Sequence, residues 1–296
     1  MALLPVAPAL AHGQSGSALH EAWSLSWWFL LPAGLMVASY LLGLLRVWHR
    51  AGVGRGISVA ELSAFAAGVV ALFLAMVWPL DALGERSLAA HMGQHMLLLA
   101  FVPPLLLAGR PLAAMAHALP ARWAMALHHW SRRWQRGLAR ALGAACTAQL
   151  AATGLWHLPA ATAAALRDDG LHWLMHGSFL AAGLWFWMAL WQRVRDPLAG
   201  VGPALVAIVA VMMQMGFIGA LLTFSRRALY PVYAARAPTL GLEALADQQL
   251  AGLIMWVPAG LPYVIGGVWL MQQGLRRAER RQPRVGTPPG PPPDAH

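Results

Sequence analysis

Apolar residues run through this chain in long blocks separated by short polar stretches. Seven blocks approach the ~20 residues that a helix needs to cross a bilayer. They lie at about 25–46, 57–79, 87–109, 139–158, 171–191, 201–223 and 248–271. The pattern predicts an all-α polytopic membrane protein with seven transmembrane helices. Three regions follow: an N-terminal tail over 1–24, the spanning domain over 25–271, and a basic, proline-rich tail over 272–296. The last of these has the composition of a disordered segment. Prolines interrupt the third block at Pro103-Pro104 and the seventh at Pro258 and Pro262. Such breaks are tolerated in a membrane where neighbouring groups satisfy the freed carbonyls. Met1 to Gly13 is apolar, and Ala9-Leu-Ala11 resembles a small-residue cleavage site. It lacks the basic start of a signal peptide, so the expectation is an ordinary exported tail.

Charge sets the orientation. Only 11% of the 296 residues are charged, against about 25% in soluble domains. All 21 basic side chains are arginine. The absence of lysine excludes a retinal protein, which needs a Schiff-base lysine, and a phosphate-binding P-loop. A net charge of +10 raises the question of nucleic acid, but the arginines cluster at the ends of the apolar blocks. Arg46, Arg50 and Arg55 follow the first block; Arg110, Arg122, Arg132, Arg133, Arg136 and Arg140 follow the third. Arg193 and Arg195 follow the fifth, and five more lie between Arg276 and Arg284. The intervening loops hold most of the acids: Asp81, Glu85, Asp168, Asp169, Glu243 and Asp247. This alternation marks contact with membrane lipids rather than nucleic acid. It places the N-terminus outside and the C-terminus in the cytoplasm. The loop after the sixth block departs from it, with three arginines and two acids. Ala121 to Leu142 mixes Trp and Arg with Ala and Leu, as an amphipathic helix at a membrane surface does. The single cysteine, Cys146, excludes an intrachain disulfide and any Cys-x-x-Cys motif.

With that frame, the histidines sort by side. His91 and His95 open the third block, His172 and His176 open the fifth, and His157 closes the fourth. All five fall at the outer end. Each pair has i, i+4 spacing, so both rings share one helix face. Neutral imidazole is a common ligand for copper, zinc, iron and nickel, and unpartnered polar groups are costly at membrane depth. The five therefore read as a metal site, with structural hydrogen bonding as the alternative. Met92 and Met175 lie at the same level, and thioethers favour cuprous copper, although packing also places methionine there. Asp247 admits three readings: a ligand, a partner that fixes an imidazole tautomer, or a helix N-cap. Asp81 is a similar candidate, more simply a cap or loop residue. The adjacent His128 and His129 point about 100° apart on a helix and do not converge. No glutamate lies between the paired histidines, so a zinc hydrolase of the His-Glu-x-x-His type is not expected.

Several ordered motifs resemble the CtaG-type cytochrome c oxidase assembly factor family. They are His91-Met-Gly-Gln-His95 with Pro103-Pro104 and Gly109-Arg-Pro111, Trp156-His157-Leu-Pro159, and His172-x3-His176. Leu229-Tyr230-Pro-x-Tyr233 and Asp247-Gln248-Gln249-x-x-Gly252-x-x-Met255-Trp256 continue the likeness. It covers roughly residues 25–271. The resemblance implies a non-enzymatic, seven-span protein of the bacterial inner membrane that helps mature a haem–copper oxidase. It implies copper as transient cargo, handled by His91, His95, His157, His172 and His176. It also implies an oxidase subunit and a periplasmic copper donor as partners. Two other classes stay open on the residues alone: a copper or other metal transporter, and a haem-binding electron carrier with histidine axial ligands.

Overall fold

A computed structural model describes residues 23–195 and 200–281. The tail up to residue 22 and the proline-rich segment from residue 282 lie outside the described residues. Among those residues the chain is helical, with no strand. The opening helix α1 (Trp27–Ala51) ends at Gly52, whose φ of 93° is one that a glycine adopts freely. Helix α2 (Val59–Met76) begins in a capping box, with Ser58 and Glu61 each bonding the other's backbone amide. A short helix α3 (Leu80–Gly84) leads into α4 (Leu88–Met96). A π-helical segment over Leu97–Phe101 joins α4 to α5 (Val102–Ala108). Then come α6 (Pro111–Ala118) and α7 (Ala121–Arg140). After these the chain forms α8 (Leu142–Trp156), α9 (Pro159–Ala165) and α10 (Asp169–Arg195). The last elements are α11 (Gly202–Phe224), α12 (Pro231–Ala234), α13 (Ala244–Trp256) and α14 (Leu261–Arg281).

Among the described residues, six stretches are long and apolar enough to cross a membrane: Trp27–Ala51, Val59–Gly84, Leu88–Ala108, Asp169–Val194, Gly202–Phe224 and Ala244–Glu279. The chain is therefore a multi-pass membrane protein. The fourth apolar block behaves differently. It folds as the 15-residue α8, about 22 Å long at 1.5 Å per residue. Ala141 breaks the helix at one end, with ψ of 52°. At the other, Leu158 is extended because it precedes Pro159. The seventh block is longer than the pattern suggested. It continues from α13 through a 3-10 turn at Pro258–Gly260 into α14.

Side-chain size sets the packing. Helices α11 and α13 meet at Gly219 and Gly252, where a Cβ on Gly252 would fall 2.4 Å from the Gly219 carbonyl oxygen. Such small-residue contacts bring membrane helices close enough for their backbones to touch. Helix α10 crosses the π segment at Gly183, where a Cβ would stand 3.0 Å from the Leu99 carbonyl oxygen and 2.8 Å from Pro103 of α5. The opposite face of α11 exposes Val206, Val209, Met213, Phe217, Leu221 and Phe224. At three- to four-residue spacing these form one apolar stripe, as a lipid-facing helix requires. Helix α7 packs against α6 and α10, and Trp185 Nε1 donates to the Leu138 carbonyl at 2.9 Å.

Candidate metal centre

One His-x3-His pair spans α4, from its first turn to its last, the other lies in the first two turns of α10, and His157 follows the end of α8. Helices α4 and α10 start at the end of the bundle where α8 stops, so all five imidazoles gather there. Ring centroids are 4.2 Å apart for His91 and His95 and 4.3 Å apart for His172 and His176. Between helices, His95 lies 5.3 Å from His157 and 5.7 Å from His176. His91 lies 6.3 Å from both His172 and His176. Phe179, one turn below His176, packs at 4.4 Å against His95 and forms an apolar floor.

Burial is deep. His91 and His95 are fully buried, His176 is 1% exposed and His157 6%. Both ring nitrogens of His91, His95 and His176 lack a hydrogen-bond partner, as does Nε2 of His157. The Nδ1 of His157 donates to the Thr153 carbonyl at 2.7 Å. That bond fixes the tautomer and leaves the lone pair on Nε2. An unsatisfied buried polar group costs about 1–3 kcal/mol. So many at one place is a chemical pattern that hydrogen bonding within the protein does not account for. The donor set, buried imidazole nitrogens without hydrogen-bond partners, fits a metal ion.

Asp247 serves another purpose. Ser87 Oγ and the Leu88 amide each donate to its carboxylate at 2.6 Å, and the Ala89 amide donates at 3.2 Å. It thus reinforces from α13 the start of α4, whose N-cap is Ser87, with its Oγ accepting from the Ala90 amide. It positions the helix that carries His91 and His95. Met92 and Met175 are both fully buried in the apolar core.

Asp81, a cap or loop residue on the sequence alone, lies at the edge of the cluster. It sits in the first turn of α3, and its Oδ1 stands 3.5 Å from His172 Nε2. Among the described residues, Asp81, His172 and His176 bring their ligand atoms within 4.8 Å of one another. Gln94, between the two histidines of α4, donates to Asp81 Oδ1 at 3.1 Å and to the Ala75 carbonyl at 2.7 Å. Ser24 also donates to Asp81.

The segment between α11 and α13 covers the cluster. Tyr230 donates to the His157 carbonyl at 2.5 Å and Tyr233 to the Gly84 carbonyl at 2.7 Å. The Tyr233 ring lies 6.0 Å from His91. Gln248 ties this segment down, accepting from the Leu229 amide at 2.5 Å and donating to the Arg227 carbonyl at 3.2 Å. The Leu229-Tyr230-Pro-x-Tyr233 motif carried this signal, but no spacing rule assigns a tyrosine to a distant carbonyl.

Fold and site together define a helical multi-pass membrane protein with a buried imidazole cluster at one end. Residues 38–277 match the model of a family described as cytochrome c oxidase caa3 assembly factor (Caa3_CtaG). The chain belongs to that family. Comparison with curated proteins and with solved structures gave no match.

Proposed function

We propose that this protein binds copper at its histidine cluster and passes it to a subunit of a haem–copper cytochrome c oxidase during assembly. One observation carries the reading: four buried imidazoles from three helices present ring nitrogens that no protein group satisfies. Copper is cargo here. It is taken up and released by exchange of ligands, a process that needs neither a thiol nor a general base. The chain acts without catalysis of its own.

In this reading α8 is a short seventh crossing, completed at its outer end by α9. The arginine-rich loops and tail lie in the cytoplasm, and the cluster faces the periplasm of a bacterial inner membrane. A periplasmic copper donor and a newly made oxidase subunit are the partners on that side.

Metal analysis of the purified protein tests this directly. His91→Ala and His176→Ala are each expected to lower copper binding and active oxidase, with the protein's own abundance unchanged. Copper content equal to wild type in both variants would overturn the assignment. A haem Soret band retained through purification would favour an electron carrier instead.

A further inference from the structure

The copper reading treats the imidazoles as one group, and the geometry divides them. Resting on that reading, we propose that the cluster holds two metal positions in series. The outer one is made by Asp81, His172 and His176 and receives the ion first. The inner one is made by His91, His95 and His157. His176 stands between them.

The outer set is already assembled, with its ligand atoms within 4.8 Å of one another. Its members come from α3 and α10, whereas the inner histidines come from α4 and the end of α8. Access differs in the same sense. The side chains of Asp81 and His172 are 16% and 18% exposed, while His91 and His95 are sealed. An ion arriving with part of its water shell can meet the first set. It must be stripped to reach the second.

Donor chemistry follows this gradient. A carboxylate beside two imidazoles supplies negative charge where a divalent cation loses water. The inner set is neutral throughout and lies against Phe179. His176 belongs to the triad, yet its ring also lies 5.7 Å from His95. Both of its nitrogens lack partners, so one imidazole can face either position. Gln94 steadies the carboxylate from the inner helix through its 3.1 Å bond to Asp81. Transfer is ligand exchange alone: a bond from the ion to Asp81 or His172 breaks as one to an inner imidazole forms. Its oxidation state does not change.

The test uses the full chain in lipid nanodiscs, titrated with copper(II) alone and dialysed to equilibrium. Wild type is expected to hold two ions per chain. Asp81→Asn loses one of them, and Asp81→Glu regains it. His172→Ala, which leaves Asp81 bonded to Ser24 and Gln94, loses the same ion and guards against misfolding of the first variant. His95→Ala retains the outer ion, with an electron paramagnetic resonance signal of mixed nitrogen and oxygen ligation. Saturation of wild type at a single ion, with Asp81→Asn and His172→Ala unchanged, overturns the two-position arrangement and leaves the copper reading standing. Wild type that binds no copper overturns both.

Discussion

At the scale of single residues, the carboxylate of Asp247 has the clearest energetic role. It is 2% exposed and accepts three hydrogen bonds at the start of α4. Asp247→Ala strands two amides and a hydroxyl in an apolar setting. The expected loss is about 2 kcal/mol, in line with the removal of hydrogen bonds to a charged group. Asp247→Asn loses less, because its amide oxygen still accepts. Thermal unfolding of the detergent-solubilised protein measures both, and an unchanged midpoint for the alanine variant would contradict this role. The paired histidines were legible in the chain because i, i+4 spacing is a local rule. Asp247 was legible as a cap but not as a support for the start of α4, since nothing local says which helix end a side chain will meet. Asp81 was harder still. Its partners Gln94, His172 and Ser24 come from other elements, and only the fold gathers them.

At the scale of elements, the third span shows how sequence chemistry becomes shape. Pro103 and Pro104 lack amide protons, so the Leu99 carbonyl has no helical donor at either i+4 or i+5. The backbone widens into a π segment just below the histidines, where such bulges often mark functional sites. The freed oxygen receives the Tyr263 hydroxyl from α14 at 3.5 Å. Tyr263 in turn accepts from Gln149 Nε2 of α8 at 2.6 Å. Three separate elements are thus joined by one buried polar chain. Tyr263→Phe removes both bonds and is expected to lower stability by about 1 kcal/mol, as interhelical hydrogen bonds in membranes do. Copper content should be unaltered, because the chain lies beneath the site and touches none of its nitrogens. Unfolding in mixed micelles, with metal analysis of the same samples, checks the pair of expectations. The prolines and the apolar block were visible in the sequence. The conversion into a bulge and its capture by a tyrosine were not, because they depend on what packs opposite.

At the scale of the molecule, apolar block length set the architecture, and most of it was readable. Six of the seven blocks became helices of spanning length. The fourth fell short because Ala141 and Pro159 fix its two ends. Its polar residues Gln149 and Thr153 are buried against the bundle, so composition alone described it poorly. Topology gives a prediction at this scale. Green fluorescent protein fused after Arg281 should fluoresce in intact cells, and alkaline phosphatase fused there should be inactive. An active phosphatase would reverse the proposed orientation.

The hold of Asp247 on α4 has one more consequence. Because the charge that closes this helix is lent by α13, the seam between the two behaves as a rivet. Sliding by a single turn would leave amide protons facing hydrocarbon, a cost of several kcal/mol. The roof of tyrosines is likewise pinned to carbonyls on neighbouring helices. Any loosening that admits or frees a bound ion is therefore expected on the remaining flank, where the side chains of Asp81 and His172 are partly exposed.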